Sequence, residues 1–102
     1  MENDNDYTKF VKRQEERKLK FDTIYSQLKV NDLYFCSLIN SWYIIKNVKH
    51  LDEIECLVLS YDTIYLHSID IEAFEYLKKV KHLPNNLINK YKRYGININY
   101  DN

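Results

Sequence analysis

The spacing of apolar residues changes period twice along the chain. Tyr7, Phe10, Val11, Phe21, Ile24, Tyr25 and Leu28 recur at the three- and four-residue intervals of one helix face. Asn3, Asp4, Asn5 and Asp6 stand ahead of them and offer N-caps, so the pattern predicts a polar tail over residues 1–6 and a helix over 7–28. Gln14, Arg17 and Lys18 interrupt the stripe within the helix-forming run KRQEERKLK, where Glu15–Lys18 and Glu16–Lys20 have pairing spacing. Such a helix either packs through its two ends or presents its polar middle as a contact surface.

After the turn at Val30-Asn31-Asp32 the period becomes that of strands. LYFCSLI, WYIIKNV, EIECLVL and TIYLHSI are rich in β-branched and aromatic residues and are separated by short breaks at Asn40-Ser41, residues 50–52 and Tyr61-Asp62. Connections this short join only antiparallel neighbours, so residues 33–67 read as a four-stranded meander. Alternation places Trp42, Ile44, Lys46 and Val48 opposite Tyr43, Ile45 and Asn47, while the first and third strands are apolar on both sides and belong inside the sheet. The helical period then returns over residues 69–94. Acidic Asp70, Glu72 and Glu75 precede basic Lys78, Lys79 and Lys81 in an order that suits a helix dipole, with Ala73, Leu77 and Val80 inward and Pro84 ending the element. A short second helix, LINKYKRY, follows, capped by Gly95, and the period-two run Ile96-Asn97-Ile98-Asn99-Tyr100 suggests an edge strand within the tail 95–102.

The predicted fold is therefore a single α+β domain over residues 1–102: a long N-terminal helix, a four-stranded antiparallel meander, two C-terminal helices on one sheet face and a short edge strand. The entry Val30-Asn31-Asp32-Leu33-Tyr34 followed by Trp42-Tyr43-Ile44-Ile45 resembles strand openings of small SH3-like barrels, which makes a curled sheet the alternative to an open one. Phe35, Trp42, Ile44, Val58, Leu66, Phe74 and Leu77 are expected to form one core between sheet and helix.

Composition narrows the function classes. A length of 102 residues with 45% hydrophobic and 29% charged residues suits one globular core. No apolar run is long enough to cross a membrane, and the acidic, polar start is unlike a secretory leader, so an intracellular, cytoplasmic protein without membrane association is expected. One glycine in the whole chain argues against phosphate-cradling loops. Ten tyrosines alongside abundant Asn, Lys, Ile and Leu point to an AT-rich genome, as in many bacteria, their phages, large DNA viruses and some protists.

Candidate chemistry is sparse. Cys36 and Cys56 lie inside apolar runs and read as buried thiols, and adding His50 and His67 produces no metal-ligand spacing, so neither a disulfide, a metal nor a cofactor is expected. The carboxylate pairs Asp52/Glu55 and Asp70/Glu72 have no accompanying nucleophile or oxyanion donors, and an enzyme is not expected.

Zero net charge conceals a segregation. Residues 9–29 hold seven basic and three acidic side chains, residues 50–77 seven acidic and no Lys or Arg, and residues 78–94 six basic and no acidic. These blocks could neutralise one another. Alternatively, Lys78, Lys79, Lys81, Lys90, Lys92, Arg93 and Tyr94 form a basic and aromatic nucleic-acid surface, a reading opposed by the neutral total and by only three arginines. The surplus of tyrosine favours a protein interface, with Tyr34, Tyr43, Tyr61 and Tyr65 as candidates on a sheet face left open by the helices. The expected function is a non-enzymatic interaction module, a small accessory protein of a phage, virus or mobile element acting on another protein. Nucleic acid is the alternative partner, and self-association is compatible with either.

Overall fold

The computed structural model describes residues 2–50 and 53–100, the first four of them by backbone only. Its elements are α1 (Glu2–Tyr25), β1 (Leu33–Cys36), β2 (Ser41–His50), β3 (Glu53–Leu59), β4 (Ile64–Ile69), a 3₁₀ turn (Ala73–Tyr76), β5 (Leu77–Lys79) and α2 (Asn85–Arg93). The fold is α+β. The strands form one open antiparallel sheet in the order β4-β3-β2-β1-β5, so the meander is present and its curled, barrel-like variant is not.

The first helix begins earlier than its sequence signals. Residues 3–6 lie inside α1 and are neither a tail nor caps. At the other end α1 stops at Tyr25. Leu28 still donates to the Ile24 carbonyl at 3.0 Å, and Asn31, with φ of 74°, turns the chain into β1.

Both faces of the sheet are buried, which replaces the expected single core by two. On one face Tyr34, Cys36, Tyr43, Ile45, Cys56 and Val58 pack with Phe74 of the 3₁₀ turn and with Ile24 and Leu28. On the other, Leu33, Trp42, Ile44 and Leu59 pack with Leu83, Leu87 and Tyr91, joined by Phe35, Leu57 and Ile64. The residues expected to form one core are therefore divided: Val58, Phe74 and Leu77 on the first face, Phe35, Trp42 and Ile44 on the second. Leu66 belongs to neither and is 65% exposed, because it sits on β4, an edge strand.

Two bulges correct the expected alternation of β2. The register with β3 shifts between Ile45 and Asn47 and again between Val48 and His50, leaving Lys46 and Lys49 as the extra residues. The first shift turns Val48 onto the same face as Tyr43 and Ile45. Each extruded lysine finds oxygen: Lys46 Nζ donates to Asn31 Oδ1 at 3.0 Å, and Lys49 Nζ lies 3.6 Å from both Glu53 and Glu55. The expected break at residues 51–52 falls outside the described residues, and with it Asp52 of the carboxylate pair.

The expected helix over the first part of residues 69–94 is absent. Residues 70–76 cross the first face as one short turn, with Asp70 Oδ1 accepting from the Ala73 N–H at 2.9 Å and Ile71 and Phe74 buried. Leu77–Lys79 then pairs with the open side of β1, register Cys36↔Leu77 to Tyr34↔Lys79. The reason is the accounting of backbone polar groups: β1 is buried on both faces, and its outer N–H and C=O groups need a strand more than Lys78 and Lys79 need a helix dipole. One C-terminal helix therefore remains where two were expected. It ends as its sequence predicts: Gly95 has φ of 76°, its N–H donates to the Lys92 carbonyl and that of Ile96 to the Tyr91 carbonyl, both at 3.0 Å, the two bonds of a Schellman motif. The described residues after it, 96–100, form no strand. Their period-two pattern is nonetheless used, for Ile96, Ile98 and Tyr100 pack on the second core while Asn97 and Asn99 face solvent.

Phe74→Ala should destabilise the domain by about 3 to 5 kcal/mol, whereas Leu66→Ala, at an exposed edge, should change stability by less than about 0.5 kcal/mol. Urea denaturation of dilute protein checks both, and equal effects would contradict the two-core arrangement.

Candidate interaction surface

β1 and β2 are joined by the four-residue turn at residues 37–40. Asn40 takes the left-handed conformation that closes it, with φ of 50°, and Ser41 Oγ donates to the Ile39 carbonyl at 3.1 Å. The two residues at the tip are apolar. Leu38 is 70% and Ile39 52% exposed. Beside them stands Tyr76, the last residue of the 3₁₀ turn, 60% exposed. Between these rims lies a cleft of about 150 Å³ whose floor is Cys36, Tyr43, Ala73 and Leu77 and whose far wall is Ile69. A volume that small is well below the roughly 300 to 1,000 Å³ of small-molecule sites and is suited to single side chains.

The floor is chemically quiet. Burial pushes the Tyr43 phenol upward, with Cys36, Tyr65 and Cys56 adding repulsion to its ionised form. Deeper on the same face, burial with Glu55 nearby raises the Cys56 thiol to about 12, and burial with Asp32 and Cys56 raises Tyr34 to about 12. Both cysteines are free and buried, and no group of His, Cys, Asp and Glu among the described residues could hold a metal ion. A thiol held in its protonated form is a poor nucleophile, so Cys56 fills space.

The four candidate tyrosines do not share a face. Tyr34 and Tyr43 are buried in the first core, which corrects their expected exposure: residues 70–76 cover the face that was taken to be open. Tyr61 and Tyr65 are exposed but point away from each other. Tyr61, on the β3–β4 turn, lies edge-on to Trp42 at 5.8 Å, while Tyr65, opposite Val58, shares the first face and lies 6.0 Å from the His67 ring. Leu38, Ile39 and Tyr76 escaped the sequence reading because Leu38 and Ile39 looked like the end of a strand. The available signal was the break itself: a hairpin between β1 and β2 needs room for a turn, and the polar residues Ser37, Asn40 and Ser41 bracket Leu38 and Ile39.

The basic candidates are likewise dispersed. Lys78 and Lys79 are successive residues of a strand and project to opposite faces. Lys79 Nζ lies 3.4 Å from Asp32 Oδ2, whose residue is only 2% exposed, and Lys90 donates to the Tyr61 carbonyl. Lys81, Lys92 and Arg93 are exposed and form no ion pair among the described residues, and Tyr94 projects beside them at the end of α2. Tyr91 belongs to the core, its hydroxyl 2.6 Å from the carbonyls of both Ser60 and Thr63. The N-terminal basic block meets the acidic one directly: Arg17 forms a two-bond pair with Glu72, and Lys20 pairs with Glu75.

Comparison of the chain with protein-family models, with curated proteins and with solved structures gives no match. No helix among the described residues is long and apolar enough to cross a membrane.

The raised phenols and thiol make stability sensitive to alkali. In the unfolded chain Cys56 and Tyr34 ionise near their usual values of 9 and 10, whereas in the fold both keep their protons to about 12. Their contribution is whole below pH 9 and is lost as pH rises from there toward 12. The urea midpoint should fall steadily as pH rises from 9 toward 12; a flat profile across that range would contradict the burial of both groups.

Proposed function

We propose that this chain is a non-enzymatic interaction module that receives an apolar side chain of another protein in the cleft between the β1–β2 turn and the 3₁₀ turn. The observation that supports this reading is the juxtaposition of Leu38, Ile39 and Tyr76, three exposed apolar side chains on two different elements around an apolar floor. Scattered exposed apolar residues are ordinary, but contiguous ones around a concavity are the usual mark of a binding site. The cleft is lined by no charged residue, so recognition would come from burial and shape, at roughly 25 cal/mol for each Å² of apolar surface removed from water.

The wider setting is also a proposal. The AT-rich composition and small size fit a cytoplasmic accessory protein of a phage, virus or mobile element, as an inhibitor of a host factor or as an assembly component. Nucleic acid is the second reading, supported by the unpaired Lys92 and Arg93 with Tyr94 beside them. It is weakened by the engagement of Lys79 and Lys90 within the fold.

Affinity purification from the native cell, with and without nuclease, separates the two. A partner that survives nuclease and is lost with Leu38→Asp or Tyr76→Asp, at a cost above about 2 kcal/mol, supports the cleft. Carry-over that nuclease removes and that Lys92→Glu with Arg93→Glu weakens, with strong salt dependence, would replace it by the nucleic-acid reading.

A further inference from the structure

The two edges of the sheet are built differently. β5 is three residues long, carries Lys78 and Lys79, and is followed by Pro84, all devices that discourage another strand from adding to it. β4 has none of them. Its six residues, Ile64–Ile69, contain no charge, proline or glycine, and its pairing with β3 is regular from Leu59↔Ile64 to Ile54↔Ile69 without a bulge. No described residue covers it: residues 65–68 are exposed, Tyr65 by 45% and Leu66 by 65%. An uncovered, neutral edge exposes a row of backbone donors and acceptors that a further strand can satisfy.

We propose that the β4 edge pairs antiparallel with the β4 edge of a second copy of this chain, with Tyr65 on the two-fold axis. Two features select a second copy. The segment Ile64-Tyr65-Leu66 of β4 is apolar on both sides of Tyr65: this register sets Ile64 against Leu66 on one face and Tyr65 against Tyr65 on the other. Apolar matching within the strand then chooses among registers. A two-fold axis perpendicular to the sheet keeps each residue on its face, so the axis must pass through a residue. With Leu66 there, Ile64 would lie opposite the polar Ser68; with Tyr65 there, Ile64 lies opposite Leu66, both within β4. The chain has no net charge to drive copies apart. The result is a continuous ten-stranded sheet with the β5 edges at its ends. This edge meets the Leu38 cleft only at Ile69, the last residue of β4, and the proposal does not depend on the reading of that cleft.

Sedimentation equilibrium tests the proposal, from about 5 µM to about 500 µM, where a small interface of this kind would associate. The parent chain should pass from monomer to dimer, with slowed amide exchange in β4 at the higher concentration. Tyr65→Lys with Leu66→Lys should raise the dissociation constant at least about ten-fold while leaving the circular dichroism spectrum and melting temperature unchanged, since both side chains are exposed. Under mild oxidation Tyr65→Cys should form a disulfide-linked dimer and Leu66→Cys should not, and Leu38→Asp should dimerise like the parent. A chain that stays monomeric throughout, a dimer indifferent to the double lysine variant, cross-linking through position 66 in place of 65, or loss of the dimer with Leu38→Asp would each overturn it.

Discussion

Adjacent residues of a strand point to opposite faces, so the complete burial of both Ile44 and Ile45 in β2 requires a cover on each side of the sheet. A chain of 102 residues has few elements with which to supply two covers. It uses the end of α1 and the crossing segment 70–76 for one face, and α2 with the tail for the other. The same demand explains the route of the chain after β4. To reach the open side of β1 it must pass over the sheet, and in passing it buries Ile71 and Phe74. A helix over residues 70–81 would have covered the first face as well, but it would have left the outer backbone groups of β1 unpaired in a buried setting, at a cost of about 1 to 3 kcal/mol for each.

What was legible in the sequence follows from which interactions are local. The meander was readable because its strands are consecutive and its turns short, and the cap at Gly95 because a Schellman motif is set by residues within one turn. The fifth strand was not readable. Leu77, Lys78 and Lys79 contain no strand signal, and they become one through β1, more than forty residues away in sequence. The division of Phe35, Trp42 and Ile44 from Val58 and Phe74 was in principle available from parity, since Leu33, Phe35, Trp42 and Ile44 alternate cleanly with Tyr34, Cys36, Tyr43 and Ile45. Assuming a single covered face hid it. That assumption also misplaced Tyr34 and Tyr43, whose large apolar rings are what a covered face needs.

The charge blocks obey a similar logic of proximity. Bulges extrude Lys46 and Lys49 from β2 into reach of Asn31 and of Glu53 and Glu55, and Lys79 lies beside the buried Asp32 carboxylate, which also accepts from the Lys29 N–H at 3.2 Å. Within the acidic block, Glu53, Glu55, Glu72 and Glu75 are neutralised internally by Lys49, Arg17 and Lys20. What remains for solvent or a partner is uneven: apolar residues at the β1–β2 turn, an uncharged strand at β4, and cations at the end of α2.

α1 is the element that the two-core requirement explains least. Twenty-four residues at 1.5 Å each span about 36 Å, more than half of the 63 Å long axis, and the radius of gyration of 16.9 Å exceeds the roughly 13 Å of a compact chain of this length. Only its last turns reach the core, through Ile24 and the following Leu28, so the helix must be held in place at the middle if it is to lie in a fixed direction. Arg17 and Lys20, three residues apart and therefore on one face, grip Glu72 and Glu75 on either side of Phe74. Exposed pairs are worth only about 0.2 to 1 kcal/mol each, too little to stabilise a fold but enough to orient a helix already anchored at its end. The polar middle that interrupts the apolar stripe thereby acquires a purpose: it braces from outside the same 3₁₀ turn whose Phe74 fills the core and whose Tyr76 forms one rim of the cleft.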